Sequence, residues 1–278
     1  MTSFLTPQQL TSFNTFGFLA FPGLLNDRID DIIANFEKVF VSHGGGHAGL
    51  KHDGKKRSCI VQFADLNPVL SSLIDDPRIK GIARDLVGDD FNYMGSDGNY
   101  YAGDTSWHSD GWHPQVKHIK FAFYLDPLTR DTGCLRVIPG THRIGEGFSE
   151  LANEQIYACD KTWGMAGRDV PAVALETKPG DVLVFNHNLK HASFGGNGWR
   201  RMFTMNCCQR YPDAQVSELQ DYLKGFSRFW VERAYGDTMI QTASPERRRH
   251  LEQVMANDGH LAELSRKARA EMAEPSRG

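Results

Sequence analysis

The sequence predicts a mainly β fold with flanking helices, organised as one domain over residues 1–278. Between about residues 91 and 211, short apolar runs alternate with Gly and Pro, which is typical of a β-sandwich or barrel. Both ends of the chain carry apolar residues at helical spacing instead. We therefore expect a helical N-terminal part over about 1–90, a β core over about 91–211, and C-terminal helices over about 214–272.

The first helix has a recognisable start and end. Thr6 and Gln9 have the spacing of a capping box, and Pro7 falls at the first helical position. Gly17 follows the last apolar residue of the stripe and can end the helix. A short buried strand and two further helices are predicted next, at 18–21, 27–42 and 77–87.

Residues 42–58 have a different composition from their surroundings. His43, His47 and His52 lie among five glycines and a group of basic residues. Such a segment buries little apolar surface, so we expect a mobile, solvated loop. The irregular spacing of the three histidines argues against a metal site there. A cationic lid over an anionic substrate is the alternative interpretation.

The β core and the C-terminal part follow in order. The core strands are expected at 119–125, 134–138, 172–176, 181–185 and 201–207. A long amphipathic helix is predicted over 218–235. A second, charged helix begins at Ser244-Pro245 and is interrupted at Gly259.

Composition and charge exclude several classes of protein. The net charge of −3 argues against nucleic acid as the partner. No apolar run approaches the roughly 20 residues that span a bilayer, and the first residues do not form a signal peptide. The 5 cysteines lack paired metal-site spacing and indicate reduced thiols in a cytoplasmic protein. We expect a small-molecule substrate, with no nucleic-acid or membrane partner.

The segment Trp107-His108-Ser109-Asp110-Gly111 carries the main chemical signal. His108 and Asp110 are two residues apart and share a face if the segment is a strand. His191 follows another apolar strand far downstream. Two imidazoles and one carboxylate are the ligand set of non-haem Fe(II) oxygenases, and they leave three coordination positions open. The sequence therefore indicates an enzyme with a metal centre.

Several further blocks accompany this segment in a fixed order. They are Leu-Thr-Pro-Gln-Gln-Leu near the start, Thr-Gly-Cys-Leu-Arg-Val-Ile-Pro-Gly-Thr-His-Arg at 132–143, Pro-Gly-Asp-Val-Leu-Val-Phe at 179–185, and Arg-Arg-Met-Phe-Thr-Met-Asn at 200–206. With them the chain resembles the phytanoyl-CoA dioxygenase (PhyH) family of Fe(II)/2-oxoglutarate-dependent oxygenases. The resemblance implies a double-stranded β-helix core, which is a jelly-roll, cupin-like fold.

The resemblance also implies cofactors and a reaction. It implies Fe(II), 2-oxoglutarate and O2, and hydroxylation of an unactivated C–H bond of a small metabolite with release of succinate and CO2. Desaturation or ring closure remain alternative outcomes. The metabolite is either anionic, as the basic residues of 51–57 suggest, or an apolar natural-product intermediate roofed by the aromatic residues of 222–230. Monomer and homodimer are both open.

Residue roles follow from the same resemblance. His108, Asp110 and His191 are the expected iron ligands and catalytic residues. The arginine for 2-oxoglutarate is Arg200 or Arg201, and we favour Arg200 because it aligns with the first basic residue of the family pattern. Arginine suits this role because its planar fork pairs with a carboxylate through two hydrogen bonds.

Other candidates flank these positions. Ser193 is expected to hydrogen-bond near the cosubstrate. Tyr101, Trp112 and Asn206 are candidate substrate residues, since two flank the ligand segment and the third shares a face with residue 200. The remaining histidines near these segments are not expected to bind the metal. We expect His113 and His118 at the surface or supporting the ligands, His142 in a structural role, and His187 pointing elsewhere.

Two other functions use the same residues. One is a cupin-like dioxygenase or isomerase that needs no 2-oxoglutarate. Such an enzyme binds no carboxylate cosubstrate and would therefore not need Arg200 or Arg201. The other is a non-catalytic protein that binds the metal or 2-oxoglutarate, whose triad we would expect to be degraded.

Overall fold

A computed structural model describes residues 3–278. The helices are α1 (Pro7–Phe16), α2 (Ile29–Ser42), α3 (Pro68–Ser71), α4 (Pro77–Val87), α5 (Gly147–Ile156), α6 (Cys159–Thr162), α7 (Val216–Lys224), α8 (Asp237–Gln241), α9 (Pro245–Met255) and α10 (Leu261–Glu271). The strands are β1 (Phe18–Phe21), β2 (Ser58–Val61), β3 (Asn92–Tyr93), β4 (Asp97–Tyr101), β5 (Thr105–His108), β6 (His118–Tyr124), β7 (Leu135–Val137), β8 (Val173–Leu175), β9 (Val182–Asn186), β10 (His191–Ser193) and β11 (Arg200–Cys208).

The strands form two antiparallel sheets. The larger has the order β1-β9-β6-β11-β4-β2, with β3 paired to the end of β11, and the smaller has the order β5-β10-β7-β8. Apart from β7 and β8, neighbouring strands are not consecutive in the sequence, so the sheets are built mainly by crossovers. This arrangement is the predicted jelly roll, and the five predicted core strands lie within one or two residues of β6, β7, β8, β9 and β11.

Side chains that alternate along the strands of the larger sheet belong to two separate hydrophobic clusters, one on each face. Phe121, Phe123 and Phe203 belong to the cluster that includes the aromatic side chains of α2. Their neighbours Ala122 and Met202 belong instead to the cluster that includes the smaller sheet. Successive side chains of a strand point to opposite faces, so the larger sheet has helices on one face and the smaller sheet on the other.

The N-terminal helix forms as its sequence predicts. Thr6 Oγ1 accepts a hydrogen bond from the Gln9 amide at 3.2 Å, and Gln9 Oε1 accepts one from the Thr6 amide at 2.9 Å. Gly17 ends the helix with φ of 87°, a left-handed conformation that glycine adopts without strain. The capping box therefore fixes where the helix begins, and β1 starts at the next residue.

The expectation of a solvated loop over 42–58 is wrong for two of its histidines. His47 and His52 are only 2% and 5% exposed. Both nitrogens of His47 hydrogen-bond to backbone carbonyls of Cys59 and Pro275, and those of His52 bond to Ser58 Oγ and the Gly198 carbonyl. The nearby glycines allow a tight turn that folds these rings against β2. Because their nitrogens are occupied, they are not available to a metal ion.

Two helical predictions also need correction. The expected long helix over 218–235 ends at Lys224 and continues as a 3-10 turn over Gly225–Phe229. Two helices that were not predicted, α5 and α6, lie within the core region. Within the described residues the cysteines are all free and buried. Across residues 3–278 no helix is both long and apolar enough to span a membrane.

Candidate metal centre

The pairing of two short strands brings the two predicted histidine ligands together. β5 ends at His108, β10 begins at His191, and these two residues are directly opposite each other in the antiparallel ladder. Their ring centroids are 4.2 Å apart. Cross-strand neighbours have side chains on the same face of a sheet, so the register of this pair aims both imidazoles at one point.

Asp110 reaches the same point by a different route than expected. β5 ends two residues earlier, so no strand carries both His108 and Asp110. Instead the Asp110 amide donates a hydrogen bond to the His187 carbonyl at 2.9 Å, which holds the loop in place. Asp110 Oδ2 then lies 3.7 Å from His191 Nε2. The structure thus brings the three predicted side chains together, but through this loop rather than along one strand.

The free atoms of the three side chains fit a divalent metal ion. His108 Nδ1 bonds to the Ser106 carbonyl at 2.7 Å, and His191 Nδ1 bonds to the Leu189 carbonyl at 2.9 Å. Each Nδ1 must therefore carry the proton, which leaves each Nε2 with a lone pair. Asp110 Oδ2 is buried and has no hydrogen-bond partner among residues 3–278. One ligand atom from each residue lies within 4.8 Å of the others.

A half-buried lysine neutralises the carboxylate of this group. Lys120 Nζ donates to Asp110 Oδ1 at 2.8 Å, on the oxygen that does not face His191. Burial opposes ionisation of Asp110, but Lys120 and the nearby histidines hold the pKa of Asp110 well below its usual value. Burial would also lower the pKa of Lys120, yet Asp110 and Asp97 raise it above normal. Burial lowers the pKa of His191 to about 3, so its imidazole is neutral.

A cavity of about 750 Å³ opens over the three side chains. Its charged lining within the described residues is Arg57, Asp97, Asp110, Lys120, Arg200 and Arg228. Its aromatic lining is Tyr101, Trp107, Tyr124, Phe185, Tyr222, Phe226 and Phe229. A cavity of this size, with a few polar groups among apolar walls, is typical of a small-molecule site.

The two candidate arginines face different surroundings. Arg200 is 5% exposed and lines the cavity, and its guanidinium donates to the Gly133 carbonyl at 2.7 Å and to Ser193 Oγ at 3.1 Å. Arg201 lies outside the cavity and pairs with Asp126 at 2.6 Å and Glu37 at 2.8 Å. Successive side chains of β11 point to opposite faces, so one faces inward and the other outward.

The other predicted residues divide in the same way. Ser193, Tyr101 and Asn206 line the cavity, and Arg200 lies over the Tyr101 ring at 5.5 Å. Trp112 does not: its side chain is 51% exposed and outside the lining. The physical reason is that the chain leaves the sheet after His108, so strand alternation does not extend to residue 112.

Sequence comparisons agree with this site. Residues 13–202, more than half of the chain, match the phytanoyl-CoA dioxygenase (PhyH) family. The chain belongs to this family. An ectoine dioxygenase from Sphingopyxis alaskensis is 27% identical over 225 residues, covering 69% of this chain and 71% of that protein. A 2-aminoethylphosphonate dioxygenase from an uncultured bacterium is 24% identical over 209 residues, covering 69% and 76%.

Solved structures share this fold. EctD from S. alaskensis with bound Fe has a TM-score of 0.56 at 23% identity, covering 77% of this chain and 78% of that one. HygX from Streptomyces hygroscopicus with nickel and 2-oxoglutarate bound has a TM-score of 0.57 at 18% identity, covering 74% and 88%. The predicted jelly roll is confirmed. As a PhyH-family protein, the chain is an Fe(II)/2-oxoglutarate-dependent dioxygenase acting on a small molecule.

Sequence reasoning did not single out Lys120 or Asp97, and it named Arg57 only as part of the basic group at 51–57. For Lys120 a signal was present, because it precedes the inward-facing Ala122 by two residues on β6 and therefore shares its face. Arg57 and Asp97 form an ion pair at 3.2 Å in the cavity wall, between segments that are 40 residues apart. A local sequence pattern cannot predict such a long-range pair.

Proposed function

We propose that this dioxygenase hydroxylates a small anionic metabolite at a ferrous ion held by His108, Asp110 and His191. The observation that supports the metal assignment best is the unpartnered Asp110 Oδ2, which faces His191 Nε2 in a buried site. An ionised carboxylate oxygen without a hydrogen bond is costly in a protein interior unless a cation takes its place. Fe(II) with 2-oxoglutarate supplies oxidative decarboxylation to succinate and CO2, coupled to O2-dependent hydroxylation.

Arg200 is the proposed partner of the distal carboxylate of 2-oxoglutarate. A guanidinium has five N–H donors, and three hydrogen bonds to the protein leave two for a ligand. Two donors suffice for bidentate pairing with a carboxylate. Ser193 accepts one of the protein bonds and so orients the guanidinium. The presence of this arginine in the cavity favours a 2-oxoglutarate enzyme over a cupin-like enzyme that needs no carboxylate partner.

The charge of the cavity supports an anionic substrate. Its lining contains four cationic side chains, Arg57, Lys120, Arg200 and Arg228, against two carboxylates, Asp97 and Asp110. Arg57 pairs with Asp97 and Lys120 pairs with Asp110, which leaves Arg200 and Arg228 as the cations without an acid partner within the lining. With Arg200 assigned to 2-oxoglutarate, Arg228 remains for the substrate.

Arg228 is well placed for this role. It lies at the exposed edge of the cavity, with its guanidinium 4.6 Å from the centre of the Phe229 ring. The aromatic residues beside it, Tyr222 and Phe226, cover the cavity and can exclude water from the reacting C–H bond. Of the basic group at 51–57, Arg57 lines the cavity and pairs with Asp97, whereas Arg228 lies on the turn after α7. The cytoplasmic location stays a prediction.

Succinate release tests the substrate proposal. Purified protein with Fe(II), 2-oxoglutarate and O2 is offered small metabolites of matched size and differing charge, including ectoine and 2-aminoethylphosphonate. We expect an anionic compound to stimulate succinate release most, and the Asp110→Ala variant to show none. Stimulation only by cationic or large apolar compounds would contradict the proposed substrate class.

A matched pair of variants tests the role of Arg228. Arg228→Gln should raise KM for the anionic substrate about tenfold with kcat unchanged, because it removes one charged contact made equally in ground and transition states. Arg233→Gln removes an exposed arginine outside the cavity that pairs with Asp237, and should leave both constants unchanged. Equal effects of the two substitutions would exclude a specific contact at Arg228.

A further inference from the structure

We propose that His113, His118 and His187 form a second metal site for a divalent transition-metal ion such as Zn²⁺. The three residues lie in the loop after β5, at the start of β6, and in the turn between β9 and β10. One ring nitrogen from each lies within 4.8 Å of the others. The site shares no residue with the iron centre, and its existence does not depend on the dioxygenase activity.

The three rings have nitrogen atoms that nothing in the protein satisfies. His113 Nε2, His118 Nδ1 and His187 Nδ1 are buried without a hydrogen-bond partner among residues 3–278. The side chains of His118 and His187 are only 1% and 2% exposed. Buried polar atoms in proteins are rarely left unpartnered. Each of these atoms can carry a lone pair, and a bound cation that accepts nitrogen lone pairs would give such atoms a partner.

Hydrogen bonds on the opposite side of two rings orient them for metal binding. His187 Nε2 lies 3.1 Å from Asn206 Oδ1, while Asn206 Nδ2 donates to the Gly95 carbonyl. The amide is therefore oriented with its oxygen toward His187, so Nε2 carries the proton and Nδ1 carries the lone pair. His118 Nε2 lies 2.7 Å from Tyr211 Oη, which can accept its proton in the same way. Metal-bound histidines typically have such a partner on their second nitrogen.

The spacing of the rings reaches that of a metal site after one rotation. Zinc–nitrogen bonds of about 2.0–2.1 Å in a tetrahedral site place the nitrogens about 3.3 Å apart. The rings of His113 and His118 are stacked 3.7 Å apart, so binding requires one of them to rotate. Three imidazoles leave the fourth position to water.

The site links the two segments that carry the iron ligands. The His187 carbonyl accepts hydrogen bonds from the amides of Asp110 and Gly111, at 2.9 and 3.3 Å. Asn188 exchanges two hydrogen bonds with the backbone of His113, at 2.9 and 3.0 Å. An ion bound by His113 and His187 adds a cross-link between the same two segments. We infer a structural role, in which the ion stiffens the loops around Asp110 and His191.

Zinc stoichiometry tests the site. The full chain is stripped with a chelator, dialysed against excess Zn²⁺ and analysed by mass spectrometry for bound metal, with two equivalents expected for the wild type. The double variant His118→Gln/His187→Gln should bind one equivalent, because glutamine keeps an N–H for Tyr211 or Asn206 but lacks the second nitrogen. His108→Ala/His191→Ala should also bind one, at the second site. The exposed His43→Gln is the control and should bind two.

A spectroscopic and a stability measurement distinguish this site from loose surface binding. In the His108→Ala/His191→Ala background, Co²⁺ should give the intense visible absorption of a four-coordinate ion. At a Zn²⁺ concentration 100-fold above Kd, the melting temperature should rise by roughly 5 °C. If the glutamine double variant is poorly folded, His113→Ala, at a half-buried loop position, replaces it and should weaken Zn²⁺ binding at least 100-fold. No bound Zn²⁺ in the His108→Ala/His191→Ala variant, or as much Zn²⁺ in the folded glutamine variant as in the wild type, would overturn the proposal.

Discussion

Adjacent arginines on β11 offer the sharpest test of the cosubstrate assignment. Replacing Arg200 by Met removes the two guanidinium N–H groups that remain for a ligand. Hydrogen bonds to charged groups contribute about 1.5–3 kcal/mol each, so the lower limit for two is about 3 kcal/mol, or a factor of about 150 in Kd. The 2-oxoglutarate affinity of Arg200→Lys should lie between those of the wild type and Arg200→Met, because lysine keeps the charge but lacks the planar fork.

Arg201→Met is the matched control, since it removes the same side chain one residue later. Its ion pairs to Asp126 and Glu37 are half-buried and lie outside the cavity, so it should change 2-oxoglutarate affinity less than twofold. The assay is calorimetric titration of 2-oxoglutarate into the Mn²⁺-loaded protein, after melting curves have confirmed folding. The assignment would be refuted if Arg200→Met weakened 2-oxoglutarate binding less than threefold, or if Arg201→Met weakened it more than Arg200→Met does.

Three further substitutions test the electrostatics and the fold. Lys120→Met leaves Asp110 as an unpaired carboxylate in the protein interior, so the free energy of unfolding of the metal-free protein, measured with denaturant, should fall by roughly 3 kcal/mol. Added Mn²⁺ should recover much of this loss. A metal-free variant as stable as the metal-free wild type would contradict this expectation. The pKa of His187 is lowered to about 3 in the folded protein, so as pH falls below about 6.5 the unfolded chain takes up its proton first and the wild type loses stability. The cost of His187→Gln in metal-free protein should therefore shrink by about 1 kcal/mol between pH 7.5 and 5.5, and a constant cost would show that His187 is not buried neutral. Thr6→Ala should cost about 1 kcal/mol, a fall of about 2 °C in melting temperature, whereas Thr11→Ala within the same helix should cost less.

The elements predicted correctly are those fixed by local chemistry. The capping box at Thr6 and the apolar runs of the core strands need no knowledge of the rest of the fold. By contrast, α5 buries only Ser149, Ala152 and Ile156, so its apolar stripe is weak, and its exposed Phe148 obscures the period. Helices of this kind are stabilised by packing against the core rather than by their sequence pattern.

Within the site, local sequence predicted the three candidate ligands but not the way they are positioned. The choice between Arg200 and Arg201 depends on the register of β11 with β4, which pairs Arg200 with Tyr101, and a shift of one residue reverses it. Trp112 was misplaced because the end of β5 is set by the hydrogen bond from Asp110 to the His187 carbonyl. Contacts between distant segments, including the Lys120–Asp110 pair, depend on tertiary structure alone.

We propose that His108 of β5, Asp110 of the loop after it and His191 of β10 together bind one ferrous ion beside 2-oxoglutarate. Anaerobic titration of metal-free protein with Fe(II), in the presence of 2-oxoglutarate, measures this through the visible charge-transfer absorption of the chelate. We expect the absorption to saturate at one Fe(II) per chain in the wild type and to be absent in His191→Ala. Undiminished absorption in His191→Ala, or none in the wild type, would contradict the account.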